Sequence, residues 1–418
     1  MSDKKIKVLT LGDHPLAPSG VGIQTKLFVE SILDTGKYSV ISLAGAAKTT
    51  DFTPLKTEKY GEDWKIFPVE GYGKPEVVRS VLRTERPDIV WFMTDPRYWS
   101  WLWQLEDEVR PLASMVYYHV WDNYPPPLFN KKFYDSNDAV ATISKLTSDI
   151  VKTVSPDVKE IHIPHTVDAE VYKPLPVEEV DAFRNAHMGE TDRVIFFWNN
   201  RNARRKHPTT LLWWFREFAE EVGEENVALL IHTDPSDPVG SDLELNLRHM
   251  GMSDGQIMIS PLKYPPERMA LLYNMADCTI NISDAEGFGL ATLESLACGT
   301  PIIVNMTGGL QEQVTDGENW FGVGIEPSST VVIGSQTVPY INEDRISKED
   351  FLDALRKIYN MKSEERKALG EAGRQHVEKN YNQKTFAKQW DDLLTEIYNE
   401  RGSWDTSTHR GWELLEVA

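Results

Sequence analysis

The 418 residues exceed one ordinary hydrophobic core, and at roughly 100–200 residues per domain they imply two or three domains. With 41% hydrophobic and 26% charged residues, 24 prolines and 26 glycines, the composition excludes disorder, collagen-like repeats and low-complexity structure. Basic residues number 44 against 64 acidic, a formal charge of −20 that disfavours nucleic acid and anionic lipid surfaces as partners.

The two cysteines, Cys278 and Cys298, cannot alone build a disulfide framework or a four-ligand zinc site. An apolar run at residues 6–11 is too short for a signal-peptide core, and far short of the roughly 20 residues that span a bilayer. A cytoplasmic protein with no integral membrane segment is the expectation. Thirteen tryptophans are more than length alone explains.

Short runs rich in β-branched or aromatic residues recur, each followed by a longer segment with helical spacing. The first covers residues 7–11. The stretch 12–22 (GDHPLAPSGVG) follows, ahead of an expected helix at 23–33. Glycines such as Gly20 and Gly22 let a backbone approach a ligand, and a helix N-terminus offers N–H groups to an anion. The spacing is not the dinucleotide fingerprint, and a tight turn without a ligand accounts for it equally well. Runs at 39–43 and 89–93 lead to a segment holding Trp91, Trp99, Trp101, Trp103 and Trp121. Buried packing with the indole tips satisfied is the commoner explanation; a stacking platform for a sugar ring or base is the alternative. The run 115–120 contains His119 and leads into Trp121, Asp122, Asn123 and three prolines, a rigid polar turn. A histidine leaving a strand there can orient a hydroxyl or exchange its proton, although a lone histidine is more often structural. Runs at 139–143 and 160–163 complete this series.

Residues 173–192, where Pro174 and Pro176 interrupt a polar, charge-rich stretch, read as an interdomain linker. A second series follows at 194–198, 228–232, 256–259, 278–282 and 301–305. Several runs are apolar on both faces, as in strands covered on each side by helices, and their alternation with helical segments implies parallel sheets. The expected fold is therefore α/β, with two doubly wound Rossmann-like domains and a ligand in the cleft beyond the carboxyl ends of their strands.

After the strand at 194–198 come Arg201, Arg204, Arg205 and Lys206, four cations in six residues of an acidic chain. They repel one another unless something negative meets them. Arginine forks with a lysine point charge suit a diphosphate, while a solvated basic loop is the plainer reading. After 278–282 comes residues 283–301 (SDAEGFGLATLESLACGTP). A glycine-rich turn opening a helix near Leu290 would present the N–H groups of Phe288, Gly289 and Leu290 to a ligand. Glu286 in the turn and Glu294 on the helix could contact two sets of sugar hydroxyls. A carboxylate pair also fits glycoside hydrolysis, or simple capping and surface pairing.

Taken together, these residues resemble a GT-B-fold retaining glycosyltransferase of the family 4 type. Glu286 and Glu294 form that family's Glu-x7-Glu motif in its usual context, and residues 308–317 and 163–168 resemble its flanking blocks. The resemblance implies that Arg201 and Lys206, with Arg205 as an alternative to Lys206, hold the donor diphosphate. Glu294 would bind ribose hydroxyls and Glu286 the hydroxyls of the transferred sugar. His119 would contact that sugar, and Gly20 and Gly22 would approach phosphate or acceptor. It implies domains at 1–172 and 193–387, with a C-terminal helix at about 388–418 crossing back onto the first. It implies a nucleotide-diphosphate sugar, UDP- or GDP-linked, as co-substrate, a carbohydrate or other hydroxyl acceptor, and neither a further cofactor nor a metal. A sugar phosphorylase, a nucleotide-sugar epimerase or a non-catalytic carbohydrate- or nucleotide-binding protein are the other readings. Departures from the family pattern are Asn200 before Arg201, His207 after Lys206, and His165 where asparagine is common. A further extended or hairpin insertion at 333–341 reads as surface decoration more than as an acceptor element.

Overall fold

The computed structural model describes residues 4–46, 51–189, 191–252 and 255–406. It divides into two compact units: residues up to Thr166 together with those from Gln383 onward, and Val167–Asn382.

The first unit is built on eight strands: β1 (Ile6–Asp13), β2 (Tyr38–Gly45), β3 (Leu55–Lys56), β4 (Trp64–Pro68), β5 (Ile89–Thr94), β6 (Ser114–His119), β7 (Ala139–Thr142) and β8 (Glu160–His162). Their order is β3-β4-β2-β1-β5-β6-β7-β8, parallel throughout except for the short edge pair β3–β4. The chain winds outward one way through β2 and the other way through β5, so the order reverses beside β1. At such a switch point the loops leaving adjacent strands part, which opens room for a ligand.

The second unit repeats the plan with β9 (Val194–Asn199), β10 (Val227–His232), β11 (Ile257–Ser260), β12 (Cys278–Asn281), β13 (Ile302–Asn305) and β14 (Gly322–Ile325). The order β11-β10-β9-β12-β13-β14 is parallel throughout and reverses between β9 and β12. A separate antiparallel pair, β15 (Ser329–Ile333) with β16 (Ile341–Arg345), follows β14.

Two boundaries differ from the sequence reading. The first unit ends at Thr166 instead of 172, and the expected linker is largely helical. Val177–Met188 forms a helix packed on the helix Pro266–Met275 of the second unit. Arg184 secures it by donating to the carbonyl of Arg193 at 2.6 Å and pairing with Asp277 at 3.6 Å. The helix buries no residue fully, which is why its sequence carries no apolar stripe. Strands β4 and β14 also lie outside the runs picked out in the sequence. Strand β14 contains Gly322, where a Cβ would overlap the carbonyl oxygen of Ile302, so close packing removes the usual β-branched signature.

The final helix, Gln383–Arg401, starts before the expected 388 and belongs to the first unit. Phe386, Trp390, Leu393, Leu394 and Ile397 form its buried stripe. Trp390 meets Phe28 (4.8 Å between centroids), Tyr118 (4.9 Å) and Trp91 (6.0 Å) edge-on. Asp391 accepts from the Tyr38 hydroxyl at 2.8 Å and pairs with Lys37 at 2.7 Å. Residues 407–418 of the expected C-terminal helix lie outside the described residues. Among the described residues no helix is long and apolar enough to cross a membrane.

Much of the tryptophan excess is core. Trp64, Trp91, Trp99, Trp103, Trp121, Trp198 and Trp390 are all buried. Their indole tips are not uniformly satisfied: Trp64 donates to Ser42 and Trp103 to Asn137, but the N–H groups of Trp91, Trp99, Trp198 and Trp390 have no hydrogen-bond partner. Truncating Trp390 to Ala is expected to cost about 3–5 kcal/mol of stability. Urea denaturation should show this loss, while the half-exposed Trp320→Ala control stays within about 0.5 kcal/mol of the wild type.

Candidate functional site

In the second unit the switch point lies between β9 and β12, and the loops leaving those two strands carry the charged groups. After β9, Arg204–Lys206 form a single 3-10 turn, and His207 stands in the left-handed region (φ 55°) just before Pro208 opens the helix Pro208–Val222. That backbone is strained for a non-glycine residue. The His207 ring is held against buried Asp284, Nε2 to Oδ1 at 2.6 Å. The Asp284 N–H donates to the carbonyl of Arg205 at 2.9 Å, so the two loops are strapped together.

Across this strap the sequence-predicted residues separate into pairs. Buried Lys206 places its ammonium on Glu286 Oε2, and Arg205 donates to the carbonyl of Ala285. Asn281, the last residue of β12, donates to the same Glu286 oxygen at 3.4 Å. Burial alone pushes the Glu286 carboxyl up, but the charges of Lys206 and Arg205 outweigh it and hold the group below its ordinary value. Arg201 does not join this cluster. Its side chain, 64% exposed, forks onto Asp237 with bonds of 2.7 and 3.1 Å.

The turn after Glu286 closes as expected, and Gly289, whose φ is +95°, stands at the N-cap of the helix Leu290–Ala297. A Cβ there would press on Leu310 and lie 2.8 Å from the Thr292 hydroxyl, so both backbone and packing require glycine. Phe288 is buried, its ring edge-on to Tyr381 at 5.8 Å. Gln313 fixes the turn, donating to the carbonyls of Phe288 (2.7 Å) and Gly289 (3.2 Å) while accepting from Thr292 (2.7 Å). The N–H of Gly309 donates to the carbonyl of Glu286 at 3.0 Å. Sequence reasoning assigned no role to Gln313 or Asp284. A buried glutamine whose two ends serve one turn has no periodic signature.

Glu294 lies one helical turn beyond Leu290 and is buried. Asn199 at the end of β9 donates to the Tyr273 hydroxyl (2.8 Å), which donates to Glu294 Oε2 (2.7 Å). Burial raises the Glu294 carboxyl to about 7, and the hydroxyls of Tyr273 and Tyr172 only partly offset it. The two carboxylates therefore differ in character: one is charge-paired, the other hydrogen-bonded to phenols.

In the first unit, Ser19 caps the helix Gly20–Leu33. It accepts from the Gly22 N–H at 3.0 Å and donates to Asp13 at 2.6 Å, and Tyr72 donates to the other Asp13 oxygen at 2.8 Å. A Cβ on Gly22 would sit 2.7 Å from the carbonyl oxygen of His14 and 2.8 Å from that of Ala17, so loop packing alone demands this glycine. Gly20 is the first helical residue. His119 ends β6 fully buried. Tyr117 donates its hydroxyl proton to the carbonyl of Thr94 (2.7 Å), so it accepts from His119 Nδ1 (3.0 Å), and Nε2 accepts from Tyr134 (2.7 Å). Burial holds the imidazole pKa down at about 3, and the ring is neutral. Both nitrogens are thus engaged within the core, and contact with a ligand would require the ring to leave these hydroxyls.

Trp99 is likewise buried, while Trp101 is partly buried and Tyr98 is 48% exposed. Tyr72 lies between the ends of β1 and β5, its ring 4.8 Å from Tyr98 and 5.4 Å from Trp99. The aromatic surface at this strand edge is therefore Tyr72, Tyr98 and Trp101.

The two doubly wound units have the fold of the GT-B class of α/β proteins. The fold matches sucrose-phosphate synthase from Thermosynechococcus elongatus with a TM-score of 0.75, at 17% identity over 95% of this chain and 100% of that one. Residues 180–376, most of the second unit, match the glycosyl transferases group 1 family. Among curated relatives, a D-inositol 3-phosphate glycosyltransferase from Acidothermus cellulolyticus is 44% identical over 70 residues, 17% of this chain and 15% of that protein. A GDP-mannose-dependent monoacylated alpha-(1-6)-phosphatidylinositol monomannoside mannosyltransferase from Corynebacterium glutamicum is 26% identical over 240 residues, 56% and 55% of the two chains. The chain thus spans between 15% and 55% of the length of these relatives.

The raised Glu294 pKa has a stability consequence. The native state holds this proton more tightly than the unfolded chain, which ionises near the ordinary value of 4.5. The resulting stabilisation is complete below that value and is lost as pH rises through about 7, a swing of about 3 kcal/mol at most. Glu294→Gln should match the wild-type Tm at pH 5 and exceed it at pH 8.5. Equal melting at pH 8.5 would show that Glu294 ionises normally.

Proposed function

We propose that this protein transfers a sugar from a nucleotide-diphosphate sugar to an acceptor hydroxyl, with retention of anomeric configuration. The observation that carries the reading is the pairing of buried Lys206 with Glu286 beside Arg205, at the switch point of a glycosyl transferases group 1 domain.

The pair suits an exchange of partners. A donor diphosphate would take the ammonium of Lys206 and the fork of Arg205, while hydroxyls of the transferred sugar would replace Lys206 on Glu286. Each buried charge keeps a partner throughout, which avoids the cost of an unpaired ion in a shielded site. Arg201 would exchange Asp237 for a phosphate in the same way, since its fork fits either anion. Glu294, set deeper and tied to Tyr273, would accept from the ribose hydroxyls. The N–H groups at the start of the helix Leu290–Ala297 would add their dipoles to the phosphate.

In the chemical step, charge developing on the departing diphosphate would be met by Arg205 and Lys206, and the leaving phosphate would take the acceptor proton on the same face. Retention then needs no carboxylate nucleophile, which leaves Glu286 to hold the hydroxyls of the transferred sugar. Contacts to the acceptor would come from the strand-end loops of the first unit, where Tyr98 and Trp101 offer aromatic surface. The GDP-mannose dependence of the Corynebacterium relative supports a guanosine-diphosphate sugar as donor, with a uridine-diphosphate sugar as the alternative. Both cysteines are free and buried, which supports a reducing, cytoplasmic setting.

A thermal-shift screen against UDP-, GDP- and ADP-sugars tests the donor directly. A specific donor at a hundred times its Kd should add about 2.7 kcal/mol of stability, and no response to any of them would end the proposal. Lys206→Ala and Arg201→Ala should each lower turnover by about two to three orders of magnitude, as removal of transition-state charge stabilisation does. Near-normal kcat in both would refute the donor site. On the acceptor side, Trp101→Ala should raise the acceptor KM with little change in Tm, whereas Trp99→Ala should lower Tm.

A further inference from the structure

The hairpin β15–β16 reads from the sequence as decoration, and its first strand and tip are indeed largely exposed. Strand β16 is different. The Asp344 N–H donates to the carbonyl of Asp284 at 2.8 Å, and the Asp344 side chain accepts from Thr307 and Thr330 at 2.8 Å each. Asn305 at the end of β13 donates both to the Asp344 carbonyl (2.6 Å) and to that of Ser283 (2.9 Å). These bonds fasten β16 to the loop that carries Glu286.

Next to Asp344, Glu343 is almost wholly buried between two arginines. It accepts from both terminal nitrogens of Arg204, one at 3.1 Å, and from Arg345 at 3.1 Å. Asp284 stands behind them, 3.8 Å from Arg204 and 4.0 Å from Arg345, while holding His207. Arg204 is itself 62% exposed, so it is the buried carboxylate that restrains the exposed cation, and not the reverse.

This restraint matters because the basic turn cannot hold itself. It is one turn of 3-10 helix, with a single ladder bond within it (His207 N–H to Arg204 carbonyl, 3.1 Å) and one entering it from Ala203. Three consecutive cations repel one another, and Arg204 would otherwise compete with Lys206 and Arg205 for the Glu286 loop and for an incoming anion. We infer that Glu343 is a positioning residue: by fixing Arg204 on the hairpin side, it leaves Lys206 and Arg205 aligned for the donor diphosphate. The inference rests on the donor-site reading above, and it makes the hairpin part of the donor site's frame.

Calorimetric titration with UDP, GDP and ADP separates the two claims. Wild-type protein should bind one of them, and failure to bind any would remove the donor reading itself. Given wild-type binding, Glu343→Gln, which keeps the shape and removes the charge, should weaken that affinity at least tenfold. The double variant Arg204→Ala/Glu343→Gln should bind no more weakly than Glu343→Gln alone, because Glu343 acts through Arg204; a merely structural role would give additive losses tracking Tm. If Glu343→Gln fails to fold, Arg204→Lys provides the second test, since it retains the charge and loses the fork; it should weaken binding severalfold. Wild-type affinity in whichever of these two single variants folds, or additive losses in the double variant, would overturn the inference while the donor reading stands.

Discussion

Like charges packed on a short loop need partners from elsewhere in the chain, and in this protein that constraint organises the second unit. Arg201, Arg204 and Lys206 each meet a carboxylate, and those carboxylates come from three different segments: Asp237 in the loop after β10, Glu343 on strand β16 and Glu286 in the loop after β12. The basic turn can exist only where these loops converge, which is the carboxyl edge of the sheet at the reversal between β9 and β12. Under the proposed donor site, stability and ligand chemistry would draw on the same charges, and a bound anion would gain mainly by exchanging partners.

The two glutamates illustrate how one motif yields two kinds of acid. Seven residues separate them, yet Glu286 sits beside cations and Glu294 beside phenols, so their protons are held with opposite bias. The difference comes from the surroundings: Lys206 and Arg205 belong to the loop after β9, and Tyr273 to a helix that precedes β12. Spacing along a helix places a side chain on a face, and tertiary neighbours decide its charge.

Much of this architecture was legible in the sequence. Runs apolar on both faces pointed to two parallel sheets, and the turn at Gly289 was visible because glycine was needed twice over, for φ and for Leu310. Legibility ended where packing replaced periodicity. Strand β14 escaped notice because Gly322 must accommodate Ile302. The helix Val177–Met188 read as linker because it buries no residue fully. His119 stood out as a polar residue at a strand end, but its partners, Tyr117 and Tyr134, could not be inferred from spacing alone. Glu343 was hidden for another reason: a carboxylate in an inserted hairpin looks solvated until Arg204 is seen beside it.

The return of the helix Gln383–Arg401 to the first unit bears on the order in which the chain matures. During synthesis the surface formed by Phe28, Trp91 and Tyr118 emerges early, and its cover, Trp390, emerges only after the whole second unit. The first unit must therefore wait, with an apolar groove open, while some two hundred residues are made and fold. At the usual pace of about 5–20 residues per second, that interval lasts on the order of ten to forty seconds. The groove is thus a natural point of chaperone dependence, and the unit that begins the sequence is the last to be completed.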